Sequence, residues 1–191
     1  MTKRVFIVHG WSGSPTSDFL PWLREELEIK GFEVISPAMP NPEEPKIETW
    51  VPYLTQAVGT VDENTFFVGH SIGCQTILRF LESLPENQKI GGAVFVAGFF
   101  SLILDQNEED AIAKPWIETP INLNRIKAVL NKSIAIFSDN DPYVSLDNKD
   151  KFANGLGSKI IVEHNMGHFN PSDGATKLPI ALKSVLEISK F

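Results

Sequence analysis

The 191-residue sequence predicts an α/β fold: a compact three-layer sandwich around a mostly parallel sheet of about six strands. Three observations lead there. Short apolar runs alternate with amphipathic stretches about six times along the chain. Runs such as Val5–Val8 and Ala93–Ala97 are apolar throughout, which suits strands covered by helices on both faces, whereas a half-exposed sheet would alternate in and out. Residues able to do chemistry fall just after predicted strands, at the carboxyl edge where parallel sheets build their sites.

The elements follow in order. Val5–Val8 reads as a buried strand that stops at His9-Gly10. Asp18–Ile29 reads as a helix, with Pro21 in its first turn and Gly31 past its end. Phe32–Ile35 is a second strand. Pro37, Pro40, Pro42 and Pro45 make residues 37–46 a loop. A helix is expected over Ile47–Val58, a strand over Thr65–Val68, a helix over Ile72–Leu84 ended by Pro85, and a strand over Gly92–Ala97. Residues 100–120 are mixed and carry the acidic run Glu108-Glu109-Asp110, read as a solvated face. Then come a helix over Asn122–Leu130, a strand over Ser133–Phe137, a helix around Leu146–Leu156, a strand over Lys159–Val162 and a helix over Lys177–Ile188.

No repeat, low-complexity segment or linker divides the chain, so residues 1–191 are expected to form a single domain. Hydrophobic residues make up 42% and charged residues 21%, ordinary for a globular protein. The net charge of -7 provides no field for phosphate backbones or anionic lipid, so neither nucleic acid nor a membrane is expected as partner. No apolar run approaches the ~20 residues that span a bilayer. Val5–Val8 is also shorter than the ~7–15-residue core of a signal peptide. The single cysteine, Cys74, forbids an internal disulfide, and a cytoplasmic location is the expected default.

The central motif is Gly69-His70-Ser71-Ile72-Gly73. As a bare string, G-x-S-x-G arises by chance. Here it lies between a predicted buried strand and a predicted helix, where a nucleophile turn must sit. Such a turn holds the serine in a strained conformation with its hydroxyl above the sheet. The flanking glycines avoid collisions with neighbouring backbone. The helix that begins at Ile72 directs its first amides at the site, where a developing oxyanion is stabilised. The bland alternative is an ordinary strand-to-helix turn with a serine near the N-cap.

A serine hydroxyl needs a base. Of the four histidines, His168 lies in the loop Asn165–Asn170 after the last predicted strand and is the preferred base; His164, at the strand end, is its competitor. His70 is expected to point away from Ser71, and His9 to fix the loop after the first strand or to be a satisfied core residue. His164 and His168 lack the helical spacing and glutamate of a zinc-protease pair, so no metal is expected there. The orienting acid lies in Ser138–Val144, where Asp139 or Asp141 could reach the imidazole. Asp-Asn-Asp-Pro is also a good turn, which is compatible with that role. The chain order Ser71, Asp141, His168 is that of the α/β-hydrolase fold. The oxyanion donors are expected to be the amides of Trp11 and Ile72. Trp11, Phe99, Phe100, Trp116 and Phe169 are candidates for a substrate pocket, with core packing as their bland alternative.

With the His9-Gly10 loop, the Gly-His-Ser-Ile-Gly-Cys turn, the Asp141-Pro142 turn and the Gly167-His168-Phe169 loop assembled, the chain resembles the small YdeN-like bacterial serine hydrolases, relatives of retinoblastoma-binding protein nine. The resemblance runs from Val5 to the C-terminus. It includes Met39-Pro40-Asn41-Pro42 and Trp50, which catalytic logic does not call for. It implies a compact α/β-hydrolase fold without a large cap, with Ser71, Asp141 and His168 matching the triad. Ser145 departs from the proline that relatives often carry after the acid turn.

The expected activity is hydrolysis of small ester or amide substrates through an acyl-enzyme, with no cofactor. Two alternatives use the same scaffold: a protein-binding module, and an acyltransferase. Little chain is left for a lid, so short acyl groups are the expected substrates.

Overall fold

The computed structural model describes residues 2–104 and 108–190, with only the main chain at 108–110. Six strands form one sheet: β1 (Arg4–Val8), β2 (Glu33–Ile35), β3 (Thr65–His70), β4 (Gly92–Val96), β5 (Ser133–Ser138) and β6 (Lys159–Glu163). Their order is β2-β1-β3-β4-β5-β6, and every neighbouring pair is parallel. The chain winds outward to β2 from β1, then reverses and runs from β3 to β6. The reversal puts a topological switch point at the carboxyl ends of β1 and β3, where open α/β sheets hold their ligands.

The helices are α1 (Leu20–Ile29), α2 (Ile47–Val58), α3 (Ile72–Ser83), α4 (Glu108–Glu118), α5 (Leu123–Val129), α6 (Asn148–Asp150), which continues as a π-helical turn over Lys151–Leu156, and α7 (Pro179–Ile188). Strand periodicity sorts the core into two layers. Val5 and Ile7 of β1, with Phe66 and Val68 of β3, face α1 and α7 and pack on Leu20, Leu23, Leu27, Ala181 and Val185. Phe6 and Val8, with Phe67, face the other way and pack on Trp50, Leu54, Ile77, Leu78, Ile126 and Phe152. Both faces of β1 and β3 are covered, so Val5–Val8 and Phe66–Val68 are unbroken apolar runs. The β6 edge is half-exposed, and there the pattern relaxes.

Helix α3 is buried from Ile72 to Leu81, since it packs on the sheet and on its neighbours α2 and α5. It even buries Arg79, whose guanidinium donates to the main-chain oxygens of Trp116 (3.0 Å) and Thr119 (2.9 Å). That satisfies carbonyls at the end of α4, and burial lowers the pKa of the arginine.

The structure departs from the sequence expectation at several element boundaries and in one segment. Strand β3 continues past Val68, because Gly69 and His70 still pair with Phe95 and Val96. The segment 100–120 contains a helix, α4, whose periodicity is disguised by the internal Pro115. The side chains of Glu108-Glu109-Asp110 lie outside the described residues. The helix expected from Leu146 starts at Asn148 and widens into a π turn, ended at Gly157 with φ 70°. The last helix begins at Pro179, two residues late. Among the described residues, no helix is long and apolar enough to cross a membrane.

Candidate active site

Ser71 sits between β3 and α3 with φ 53° and ψ -121°, a region that non-glycine residues rarely occupy. Local bonds hold it there: its amide donates to Val96 (2.9 Å) and its carbonyl accepts from Cys74 (2.9 Å). The two motif glycines have distinct steric reasons. A Cβ on Gly73 would lie 2.3 Å from the carbonyl oxygen of Val8, so α3 can approach β1 only without a side chain there. A Cβ on Gly69 would lie 2.8 Å from the Cys74 nitrogen, under the turn itself. The neighbouring thiol of Cys74 is fully buried and donates to the Val96 carbonyl; burial pushes its pKa up and keeps it protonated, so it is no rival nucleophile.

His168 and Asp141 meet at the carboxyl end of the sheet. His168 Nδ1 donates to Asp141 Oδ2 at 2.8 Å, leaving Nε2 as the acceptor. The other oxygen, Asp141 Oδ1, accepts from the amides of Tyr143 (2.9 Å) and Val144 (3.0 Å), so the carboxylate is fixed by its own turn. Asp139 points elsewhere. It holds the exposed His164 ring (2.5 Å) and the Asn165 amide (2.9 Å). Those two bonds, the backbone one first, hold its pKa below the usual carboxylate range. The two carboxylates therefore serve two different histidines. Ser138 Oγ and Asn140 Oδ1 stitch the same turn to the histidine loop, accepting from the amides of Met166 (3.0 Å) and Gly167 (2.8 Å).

The loop after β1 brings Trp11 towards α3. Neither the Trp11 amide nor the Ile72 amide donates to any group among the described residues; Ile72 is the first residue of α3, ahead of its intrahelical ladder. The Met39–Pro45 segment braces this loop. His9 Nδ1 donates to the Gly10 carbonyl (2.8 Å), while His9 Nε2 accepts from the Met39 amide (3.0 Å). Burial lowers the pKa of this ring, in keeping with an imidazole that must accept at one nitrogen. The Ser12 amide donates to Pro42 (2.8 Å) and Trp11 Nε1 to Glu43 (3.0 Å). Trp50 and Trp116 each donate an indole N–H to the same segment, at Pro40 (2.7 Å) and Pro45 (3.0 Å). The Met-Pro-Asn-Pro and Trp signature is thus the backing of the loop that carries Trp11.

The model of the serine hydrolase family matches residues 5–187. This chain belongs to the serine hydrolase family. It is 32% identical to YdeN of Bacillus subtilis over 180 residues, covering 94% of this chain and 93% of YdeN. It is 27% identical to the serine hydrolase RBBP9 of Rattus norvegicus over 166 residues, covering 86% and 81%. The crystal structure of the B. subtilis ydeN gene product superposes with a TM-score of 0.90 at 31% identity over 98% of both chains. A carboxylesterase structure from the Thaumarchaeon Nitrososphaera gargenis, 12% identical, shares the fold with a TM-score of 0.73 over 98% of this chain and 91% of that one.

In this serine hydrolase, Ser71 and His168 open into one cavity of about 360 Å³, lined also by Gly10, Trp11, Ile72 and Phe99. No hydrogen bond joins Ser71 Oγ to the His168 imidazole; such bonds commonly tighten only when substrate is bound. Leu102, Ile103, Leu104 and Ala113 of the 100–120 region form one wall, so that segment does border the site. Trp11 and Phe99 line the cavity as the sequence suggests. Phe100, Trp116 and Phe169 do not. Phe100 packs on Phe152 (4.9 Å between centroids), Trp116 is buried against Trp50 and the Arg79 guanidinium, and Phe169 is fully buried on the α1/α7 face. Their aromatic bulk serves the core, the alternative that sequence alone could not separate. Tyr143, missed by the sequence reading, stands edge-on to the His168 ring at 5.2 Å and is half-exposed at the rim. Its place two residues after Asp141 was the available signal. Asp18 also lines the cavity, and among the described residues no lysine or arginine does. No group of three metal-ligating side chains is assembled among the described residues.

Proposed function

We propose that this serine hydrolase cleaves small ester or amide substrates through an acyl-enzyme, with Ser71 as nucleophile, His168 as base and Asp141 as orienting acid. The observation that carries the reading is the His168–Asp141 hydrogen bond beside a serine held at positive φ in the same cavity. Asp141 fixes the tautomer that leaves Nε2 free to accept a proton. Ser71 Oγ attacks the carbonyl carbon while its proton passes to His168 Nε2. The carbonyl oxygen becomes an oxyanion, and the free amides of Trp11 and Ile72 are its donors, helped by the N-terminus of α3. Collapse of this intermediate expels the alcohol or amine, which takes the proton from His168. Water then attacks the acyl-enzyme with His168 again as base, releasing the acid and restoring Ser71. The chemistry needs no cofactor. A single buried cysteine suits a reducing, cytoplasmic setting.

The experiment is a screen of activated esters and aminoacyl amides against wild type and Ser71→Ala. Turnover that vanishes in the variant supports the reading; turnover retained by Ser71→Ala overturns it.

A further inference from the structure

We infer that His70, the residue before Ser71, is a positioning residue that holds the main chain of His168 against the nucleophile turn. The inference rests on the Ser71–His168–Asp141 reading above. His70 is 2% exposed, and its Nε2 lies 2.9 Å from the carbonyl oxygen of His168. A carbonyl only accepts, so Nε2 carries the proton and donates. The two rings lie 5.2 Å apart at 40°. The last residue of β3 is therefore bonded directly to the residue that carries the base, across 98 positions of sequence.

The His168 loop needs this tie. Gly167, Phe169 and Asn165 all have positive φ, of 51°, 59° and 54°. For Phe169 this is a costly conformation, stable only where the surroundings impose it. Phe169 directly follows the carbonyl that His70 holds. The His168 amide is held on its other side by Asp173 Oδ2 at 3.0 Å. Main-chain bonds thus grip His168 at both ends, and Asp141 grips its ring. The loss of one grip lets the imbalance at Phe169 relax and moves Nε2 relative to Ser71.

His70 is itself fixed from behind. The Phe19 ring meets it edge-on at 5.5 Å, and Asp18 Oδ2 lies 3.3 Å from its Nδ1. That contact is too poorly aligned for a hydrogen bond, and Nδ1 has no other partner among the described residues. Asp18 thus sits at the ring nitrogen that does not face the His168 carbonyl. Asp18 occupies the left-handed region with φ 57°, which Asp tolerates better than most residues.

The test compares His70→Gln, whose amide reaches the Nε2 position, with His70→Asn, one methylene shorter, using a substrate found in the screen. We expect His70→Asn to lower kcat by about 10- to 100-fold with KM within about twofold, because a displaced base loses alignment rather than binding. Its rate of fluorophosphonate labelling at Ser71 should fall in parallel, and His70→Gln should recover most of both. If the Asn variant does not fold, His70→Phe, which keeps the volume and lacks the donor, takes its place in the comparison. Folded Gln and Asn variants with equal kcat, whether both normal or both low, overturn the inference while the triad reading stands. Loss of kcat with a matching rise in KM also overturns it. Wild type without Ser71-dependent turnover overturns the triad reading and this inference with it.

Discussion

Asp141 and His168, 27 residues apart in sequence, are joined by a 2.8 Å hydrogen bond from ring nitrogen to carboxylate, while Asp139 is bound to the exposed His164. The two carboxylates are chemically alike and two positions apart, so exchange of each for its amide separates their roles. Asp141→Asn should lower kcat by roughly 10³- to 10⁴-fold with the fold retained, as expected when the imidazole is held in the wrong tautomer. Asp139→Asn should change kcat by no more than about threefold, since an exposed pair away from the cavity contributes little. Steady-state kinetics on both purified variants decides, and the reverse ranking would show that His164 and not His168 is the base.

Gly73→Ala should destabilise the protein by about 2–3 kcal/mol, because its Cβ would lie 2.3 Å from the Val8 carbonyl oxygen with helix and strand both buried. Urea unfolding measures this. An unchanged midpoint would mean that α3 shifts freely away from β1, against the close packing described.

Much of this architecture was legible in the sequence, and the residues say why. The apolar run Val5–Val8 marks a central strand because both of its faces are covered. Ser71, Asp141 and His168 stood out because each follows a strand, and strand ends in a parallel sheet converge. The pocket was less legible. Phe169 and Trp116 are aromatic and near the site in sequence or space, yet they point into the core, and composition carries no direction. His70 was expected to point away from Ser71; its partner, the His168 carbonyl, is main chain, and backbone acceptors leave no mark on a sequence. Asp139 and Asp141 could not be separated by turn chemistry, since both sit on the same turn.

Burial lowers the pKa of His9, whose ordinary value is 6.5. Below that value the unfolded chain takes up a proton at this position before the folded chain does, so its contribution to stability is present above about pH 6.5 and lost as pH falls towards the folded-state value. Unfolding free energy should therefore fall more steeply from pH 7 to pH 5 in wild type than in His9→Gln. Urea titrations of both proteins at several pH values test this, and parallel curves would show that His9 is equally easy to protonate in both states.

Substrate preference should reflect a cavity of about 360 Å³. Among p-nitrophenyl esters from acetate to palmitate, kcat/KM should peak at short acyl chains and show no jump where substrate forms micelles. Leu102, Ile103, Leu104 and Ala113 line the cavity with apolar side chains suited to a small acyl group. A steady climb to palmitate would mean that the 100–120 region opens as a lid over a longer trough.

The proposed chemistry requires Ser71 to be an activated nucleophile. Its most direct measurement is brief labelling of the folded protein with a fluorophosphonate at low concentration, followed by peptide mapping by mass spectrometry, with His168→Ala alongside. One modified serine is expected, Ser71, with labelling slowed by at least about 100-fold in the variant, given the ~10²–10⁴-fold contribution of a positioned base. Modification at another serine, no modification of the folded wild type, or equal labelling rates in both proteins would contradict it.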